Sequence, residues 1–326
     1  MLTADRVVSG TDVLQLLARC RQGDRVATSR LLSLVSRGSQ SDRALVSREL
    51  AAGEVPSAIT LGITGPPGVG KSTLTSALIA ELRGRDKRVG VIAVDPSSPV
   101  TGGAVLGDRI RMAAHGADPG VFVRSLSSDG HLGGLVRSAS LAARVMGACG
   151  YDVVIIETVG VGQSEVDIAQ IAETVMLVLA PGAGDSIQAQ KAGVLEIADI
   201  YVVNKADLDG ARATVADLRE MLLLNRPSDG WRPSILQTVA GTGQGVADLV
   251  TALFSHHEAC VSDGELAVRR HRRSLYETRS VIDAVLAEQL AGVDVGEAED
   301  PYAAADASLR MLGRRLLDEG VGAVLG

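Results

Sequence analysis

Aromatic residues are almost missing from this 326-residue chain: Phe, Tyr and Trp together make up 2% of it. Apolar residues still reach 46%, so the core has to be assembled from Val, Leu, Ile and Ala, the palette of a buried parallel sheet. A positive surplus is also absent. The net charge of −7 and a pI near 5.3 argue against a nucleic-acid partner held by a basic surface. No apolar run approaches the roughly 20 residues that span a bilayer, so no membrane partner is expected. The amino terminus, with Asp5 and Asp12 and no apolar stretch, carries neither a secretory nor an organellar address. The three cysteines, Cys20, Cys149 and Cys260, lie far apart with no C-x-x-C spacing. That pattern suits a cytoplasmic protein and predicts neither a disulfide framework nor a thiolate metal site. Lysine is scarce too: Lys71, Lys87, Lys191 and Lys205 are the only four. Lys87 reads as a solvated loop charge, and the other three fall in suggestive places.

What is present is a phosphate loop. Gly65, Pro66, Pro67, Gly68, Val69, Gly70, Lys71 and Ser72 match G-x-x-x-x-G-K-[ST] at every fixed position. An apolar, β-branched strand over residues 59–64 precedes them, and a helix beginning near Thr73 follows, with Leu74, Leu78 and Leu82 on one face. Glycines let successive backbone N–H groups converge on phosphate oxygens, and the helix amino terminus adds partial positive charge. Lys71 is expected on the β- and γ-phosphates, and the Ser72 hydroxyl on Mg²⁺.

The rest of the chain predicts three parts. Residues 1–56 read as a helical extension, broken at Gly23-Asp24 and Gly38-Ser39. Residues 57–261 alternate strand and helix, the pattern of a mostly parallel central sheet covered by helices. After 262 the strands stop, and residues 262–326 read as a helical arm. Ligands of such sheets sit beyond the carboxyl ends of the strands. There lie Asn204-Lys205-Ala206-Asp207, where Asp207 can accept from both N1–H and the 2-amino group of guanine while adenine offers neither donor. Thr238-Val239-Ala240 is a loose second base-contacting loop. Glu157 ends the most apolar strand and can hold a Mg²⁺-bound water, with the Gly160 N–H facing the γ-phosphate. Asp95 is either a Mg²⁺ or water contact or a proline-stiffened turn. Asp108 is either a metal-site carboxylate or a helix N-cap, and Gln163 either orients water or is a solvated residue. Lys191, in a loop over 181–191, is a surface cation or a partner-responsive contact. The run Arg269-Arg270-His271-Arg272-Arg273 reads most simply as a solvated helix face. His256-His257 makes a poor metal pair, and neither His115 nor His131 has a second ligand at useful spacing.

Taken in order, GPPGVGKS, VDPSSP, LGDRIRM, ETVGVGQSE and VVNKAD resemble the MeaB/ArgK-type P-loop GTPases of the SIMIBI class, over roughly residues 40–260. The resemblance implies a Mg²⁺-dependent hydrolase of GTP to GDP that serves as a chaperone of adenosylcobalamin-dependent methylmalonyl-CoA mutase. It implies Lys71 on phosphate, Ser72 on Mg²⁺, and Asp95, Asp108 and Glu157 around the metal and attacking water. It further implies Asn204, Lys205 and Asp207 on guanine, Lys191 in a third switch, and a homodimer formed through the carboxyl-terminal arm. Glu157 stands where most GTPases carry Asp, a difference that points to a subgroup; from the family itself the chain departs at Gln188-Ala189-Gln190 before Lys191, which lacks the usual glycine, and its first helix region is unremarkable. The rival expectations are a metal-insertion GTPase of the same class, a P-loop small-molecule kinase and a nucleotide-locked adaptor.

Overall fold

The computed structural model describes residues 8–53, 57–95, 115–127, 132–158, 164–182, 195–224, 230–291 and 300–319. Asp108, Gly160, Gln163, Lys191 and His131 lie outside these residues.

The chain begins with three helices, α1 (Gly10–Arg21), α2 (Arg25–Arg37) and α3 (Gln40–Ala52). Their starts are chemically marked. Ser9 and Ser39 each form a capping box with an aspartate three residues on, and the Asp24 carboxylate accepts from the N–H groups of Val26 and Ala27. Then come β1 (Ile59–Thr64), α4 (Lys71–Gly84), β2 (Val89–Asp95), β3 (Val121–Ser127), α5 (Leu132–Ala148), β4 (Val153–Thr158), α6 (Ser164–Ile171), β5 (Thr174–Leu179), β6 (Ile200–Asn204), α7 (Ala211–Leu224), β7 (Ser234–Thr238), α8 (Val246–Ser262), α9 (Glu265–Ala291) and α10 (Pro301–Glu319).

The seven strands form one sheet in the order β3-β2-β4-β1-β5-β6-β7, and every pairing is parallel. Period-2 side-chain direction sends alternate strand residues to opposite layers. Ile92, Val94, Val154 and Ile156 face α5 and α6, whereas Val89, Val91, Val153 and Ile155 face α4 and α8. Burial on both faces is what the nearly unbroken apolar strands predict. Helices α1–α3 add a layer outside α5: Val13, Leu17, Leu31, Leu32 and Val35 share one core with Ala142, Val145 and Met146. Arg25 fastens this layer further, donating to the carbonyls of Val121 (2.6 Å) and Asp118 (3.1 Å) and lying over the Phe122 ring at 5.3 Å.

Two sequence expectations are corrected here. Cys20 at the end of α1 and Cys149 just after α5 are joined in a disulfide, with Cα atoms 5.0 Å apart and a sequence separation of 129. Their wide spacing concealed this because α1 packs across the end of α5, a contact that no local pattern records. The arginine run on α9 is likewise not a solvated face. Arg269 donates to both carboxylate oxygens of Asp199 (2.8 and 2.9 Å) and to the Glu173 carbonyl, Arg270 donates to Glu173 Oε1 (2.8 Å), and Arg273 lies 4.0 Å from it. Asp199 and Glu173 sit immediately before β6 and β5, so these pairs root α9 at the amino edge of the sheet.

Burial pulls the Asp199 carboxyl upward, but hydrogen bonds from His256 and Arg269 outweigh it and hold the group below its ordinary 3.8. Asp199→Ala is therefore expected to cost about 3 kcal/mol, seen as a lower urea midpoint at unchanged slope. A depressed carboxylate contributes fully above its unfolded value and loses that contribution as pH falls through its folded value. The stability gap between wild type and variant should accordingly close as pH drops below 3.8.

Candidate nucleotide site

All seven strands end at one edge, and β1 at the centre of the sheet delivers the glycine loop there. Gly65 takes φ of 138°, and a Cβ at this position would run into the Val178 carbonyl of β5. Gly70, at φ 95°, precedes α4, and a Cβ there would lie 2.6 Å from Asn204 Nδ2. Glycine is thus required at both ends of the loop. Lys71 starts the helix, buried, with Nζ donating back to the carbonyls of Gly65 (2.6 Å) and Pro66 (3.0 Å). That arrangement stores its ammonium directly beneath the loop.

Asn204 ties three segments together. Its Nδ2 donates to the Val69 carbonyl (2.9 Å), and its Oδ1 accepts from Thr238 Oγ1 and from the Ala240 N–H, both at 3.1 Å. The Ala206 N–H donates to the Thr238 carbonyl, so the loops after β6 and β7 and the glycine loop form one hydrogen-bonded unit. Lys205 occupies the left-handed region at φ 55° and donates to the Gly68 carbonyl at 2.8 Å. A non-glycine residue held there is a local strain that the surrounding bonds sustain. Asp207 stands exposed at the same edge.

Behind the loop, Glu157 of β4 is buried, with both carboxylate oxygens occupied by hydroxyls of α4. Ser72 Oγ donates to Oε1 and Thr75 Oγ1 to Oε2, each at 2.7 Å. Sequence reading found Glu157 and Ser72 but missed Thr75; its position three residues after Ser72, one turn along the same helix face, was the available signal. Asp95 closes β2 one strand away from Glu157. A cleft of about 690 Å³ runs from Ser72 and Thr73 between α4 and the loop at Ala240, Gly241 and Gly243. His115 borders it, its Nε2 2.9 Å from Ser76 Oγ.

A larger cavity of about 1,440 Å³ opens at the opposite edge, beside Asp199, Trp231, Cys260 and Arg269. There Cys260 Sγ lies 3.3 Å from His256 Nε2, and the same nitrogen is 3.2 Å from Asp199 Oδ1 while Nδ1 meets Thr174 Oγ1. This is not a nucleophile with its base. Burial raises the Cys260 thiol pKa, and one imidazole nitrogen serves both neighbours, so no relay runs through the ring. His256 is a buried histidine held between Thr174, Asp199 and Cys260.

Residues 29–294 match the family model described as methylmalonyl Co-A mutase-associated GTPase MeaB. The chain is a MeaB-family GTPase. It is 44% identical over 313 residues to a GTPase of Pyrococcus abyssi, covering 91% of this chain and 95% of that protein. It is 36% identical over 277 residues to GTPase ArgK of Escherichia coli, covering 82% and 83%. The crystal structure of a LAO/AO transport system kinase superposes with a TM-score of 0.68 at 27% identity, covering 97% of this chain and 95% of that one. As a MeaB-family enzyme the chain binds guanine nucleotide and hydrolyses GTP. The parallel sheet with its glycine loop is the P-loop NTPase architecture expected from the sequence. Among the described residues no helix is long and apolar enough to cross a membrane, and no three His, Cys, Asp or Glu cluster as a metal site.

Proposed function

We propose that this MeaB-family GTPase is a Mg²⁺-dependent G-protein chaperone that gates docking, cofactor loading and cofactor protection of an adenosylcobalamin-dependent mutase, methylmalonyl-CoA mutase. The observation that carries the nucleotide chemistry is the Ser72–Glu157 pair at 2.7 Å beneath the glycine loop. A hydroxyl and a carboxylate are hard oxygen donors, the set that Mg²⁺ takes when phosphates and waters complete its sphere, so the residues present fit the ion. When bound, Mg²⁺ would neutralise charge on the β- and γ-phosphates. Ser72 and Glu157 would hold it, and Asp95 and Asp108 are the further carboxylates proposed for the metal and water. The client reading is supported by the mutase association in the description of the matching family.

In this reading the chain does little covalent chemistry. Gly65, Pro66 and Pro67 shape the turn, backbone N–H groups of Gly68, Val69, Gly70, Lys71, Ser72 and Thr73 cradle the phosphates, and Lys71 leaves its two carbonyl partners to meet the transferring phosphoryl. Gly160 donates to the γ-phosphate, and Gln163 or a carboxylate orients the attacking water. Asn204 fixes the base loop, Lys205 covers the ring, and Asp207 reads guanine beside Thr238, Val239 and Ala240. Lys191 reports the nucleotide state to the client. Residues 1–56 form an extension, 57–261 the GTPase domain and 262–326 a dimerisation arm.

Slow turnover by the isolated protein is expected, rising at least about tenfold when methylmalonyl-CoA mutase is added, because no arginine in the chain is assigned to the transition-state charge. Phosphate release measured with and without the mutase tests this. Equal rates in both, at full speed, would remove the gating role while leaving the GTPase intact. A parallel nucleotide panel separates it from a small-molecule kinase, which would consume ATP only with an acceptor.

A further inference from the structure

Threonine is a poor choice for the interior of a helix, where its branched side chain loses rotamer freedom and its hydroxyl commonly turns back to the carbonyl four residues earlier. Thr75 nevertheless sits in the second turn of α4 with no exposed surface. Its neighbours Leu74 and Leu78 fill the core between α4 and the sheet. Thr75 instead sends its hydroxyl across to β4, meeting Glu157 Oε2 at 2.7 Å. An ionised carboxylate only accepts, so the single hydroxyl proton of Thr75 lies on that bond. Ser72, one turn earlier, meets Oε1 at the same distance. Two hydroxyls spaced three residues apart thus grip one carboxylate from one helix face.

The two oxygens are not equivalent. Oε1 belongs with Ser72 at the mouth of the loop, while Oε2 is anchored deeper in the helix. Glutamate has one more methylene than aspartate and correspondingly more rotational freedom, so a second fixed point is what makes the longer side chain hold still. We propose that Thr75 is a positioning residue for Glu157: it pins Oε2 so that Oε1 faces the Mg²⁺ and water position. This rests on the placement of Glu157 at that position. Outer-shell groups that orient a metal-site carboxylate are worth about 10–100-fold in metal affinity or activity.

The test compares Thr75→Val, which keeps the shape and removes the donor, with Thr75→Ser, which keeps the donor. Titration calorimetry of GDP in excess Mg²⁺ and in EDTA reads the strengthening that the metal confers. For Thr75→Val that strengthening should shrink about tenfold, with the EDTA affinity unchanged as evidence of an intact loop. Its kcat should fall by a similar factor at nearly constant KM for GTP, and more Mg²⁺ should be needed for half-maximal turnover. Thr75→Ser should track wild type in all three. Wild-type metal coupling in Thr75→Val, or equal losses in the Val and Ser variants, would overturn the assignment. Glu157→Gln separates the two layers of the argument. If it abolishes the coupling while Thr75→Val leaves it whole, only the role of Thr75 fails; if it changes nothing, the placement of Glu157 fails first.

Discussion

Replacing Asp207 with asparagine is expected to erase most of the preference for guanine over adenine nucleotides, a loss of roughly 10³–10⁴-fold in relative affinity. The carboxylate supplies two acceptors to two ring donors. An amide turns one acceptor into a donor facing the 2-amino group, so one hydrogen bond is lost and one repulsion is gained. The same change suits xanthine, whose second carbonyl accepts from the new amide, so binding of xanthosine diphosphate should rise as GDP binding falls. A competition assay with GDP, ADP and xanthosine diphosphate reads all three. The loop is built to survive the substitution. Its position is set by Asn204, by the Lys205–Gly68 contact and by the Ala206–Thr238 backbone bond, none of which involves the exposed Asp207 side chain. Unchanged guanine preference would refute the base-reading role outright.

Reduction of Cys20–Cys149 is expected to have the largest effect on stability. The bridge closes a loop of 129 residues, for which chain entropy alone predicts close to 5 kcal/mol of stabilisation, with measured bridges usually giving about 2–4. For a chain of this size a loss of that order lowers the melting midpoint by about 5 °C. Both half-cystines are fully buried between α1 and the end of α5, so reduction needs denaturant or long exposure to dithiothreitol. Counting thiols settles the pairing. Denatured, unreduced protein should take one maleimide label, on Cys260, and three after reduction. Three labels without reduction would remove the bridge, and the Cys20→Ser variant would then melt with wild type.

Local signals carried much of this architecture. The residues 59–64 read as a strand are β1, and the breaks at Gly23-Asp24 and Gly38-Ser39 are the caps of α2 and α3. Strands buried on both faces and helix starts with side-chain caps write themselves into short windows of sequence. The glycine loop, Glu157 and the Asn204–Asp207 segment stood out for the same reason: each lies at or just beyond the carboxyl end of a strand. What escaped were contacts between elements distant in sequence. Thr75 gains meaning only because β4 lies beside α4, and Arg269 only because α9 starts against the residues preceding β5 and β6. Cys20 was doubly hidden, since it also precedes residue 29, where the match to the family begins.

The strand order has a consequence for how the protein is made. Of the seven described strands β1 is synthesised first, yet its neighbours are β4 and β5, and the second of these ends at Leu179. Translation has to add about 115 residues before the apolar segment Ile59–Thr64 finds both partners, on the order of ten seconds at usual elongation rates. Throughout that interval the nascent chain displays a β-prone, uncharged six-residue stretch, the kind of window from which misassembly starts. Arrested chains shorter than about 180 residues should therefore neither retain GDP nor resist protease, and trigger-type holding factors should stay on them until β5 emerges.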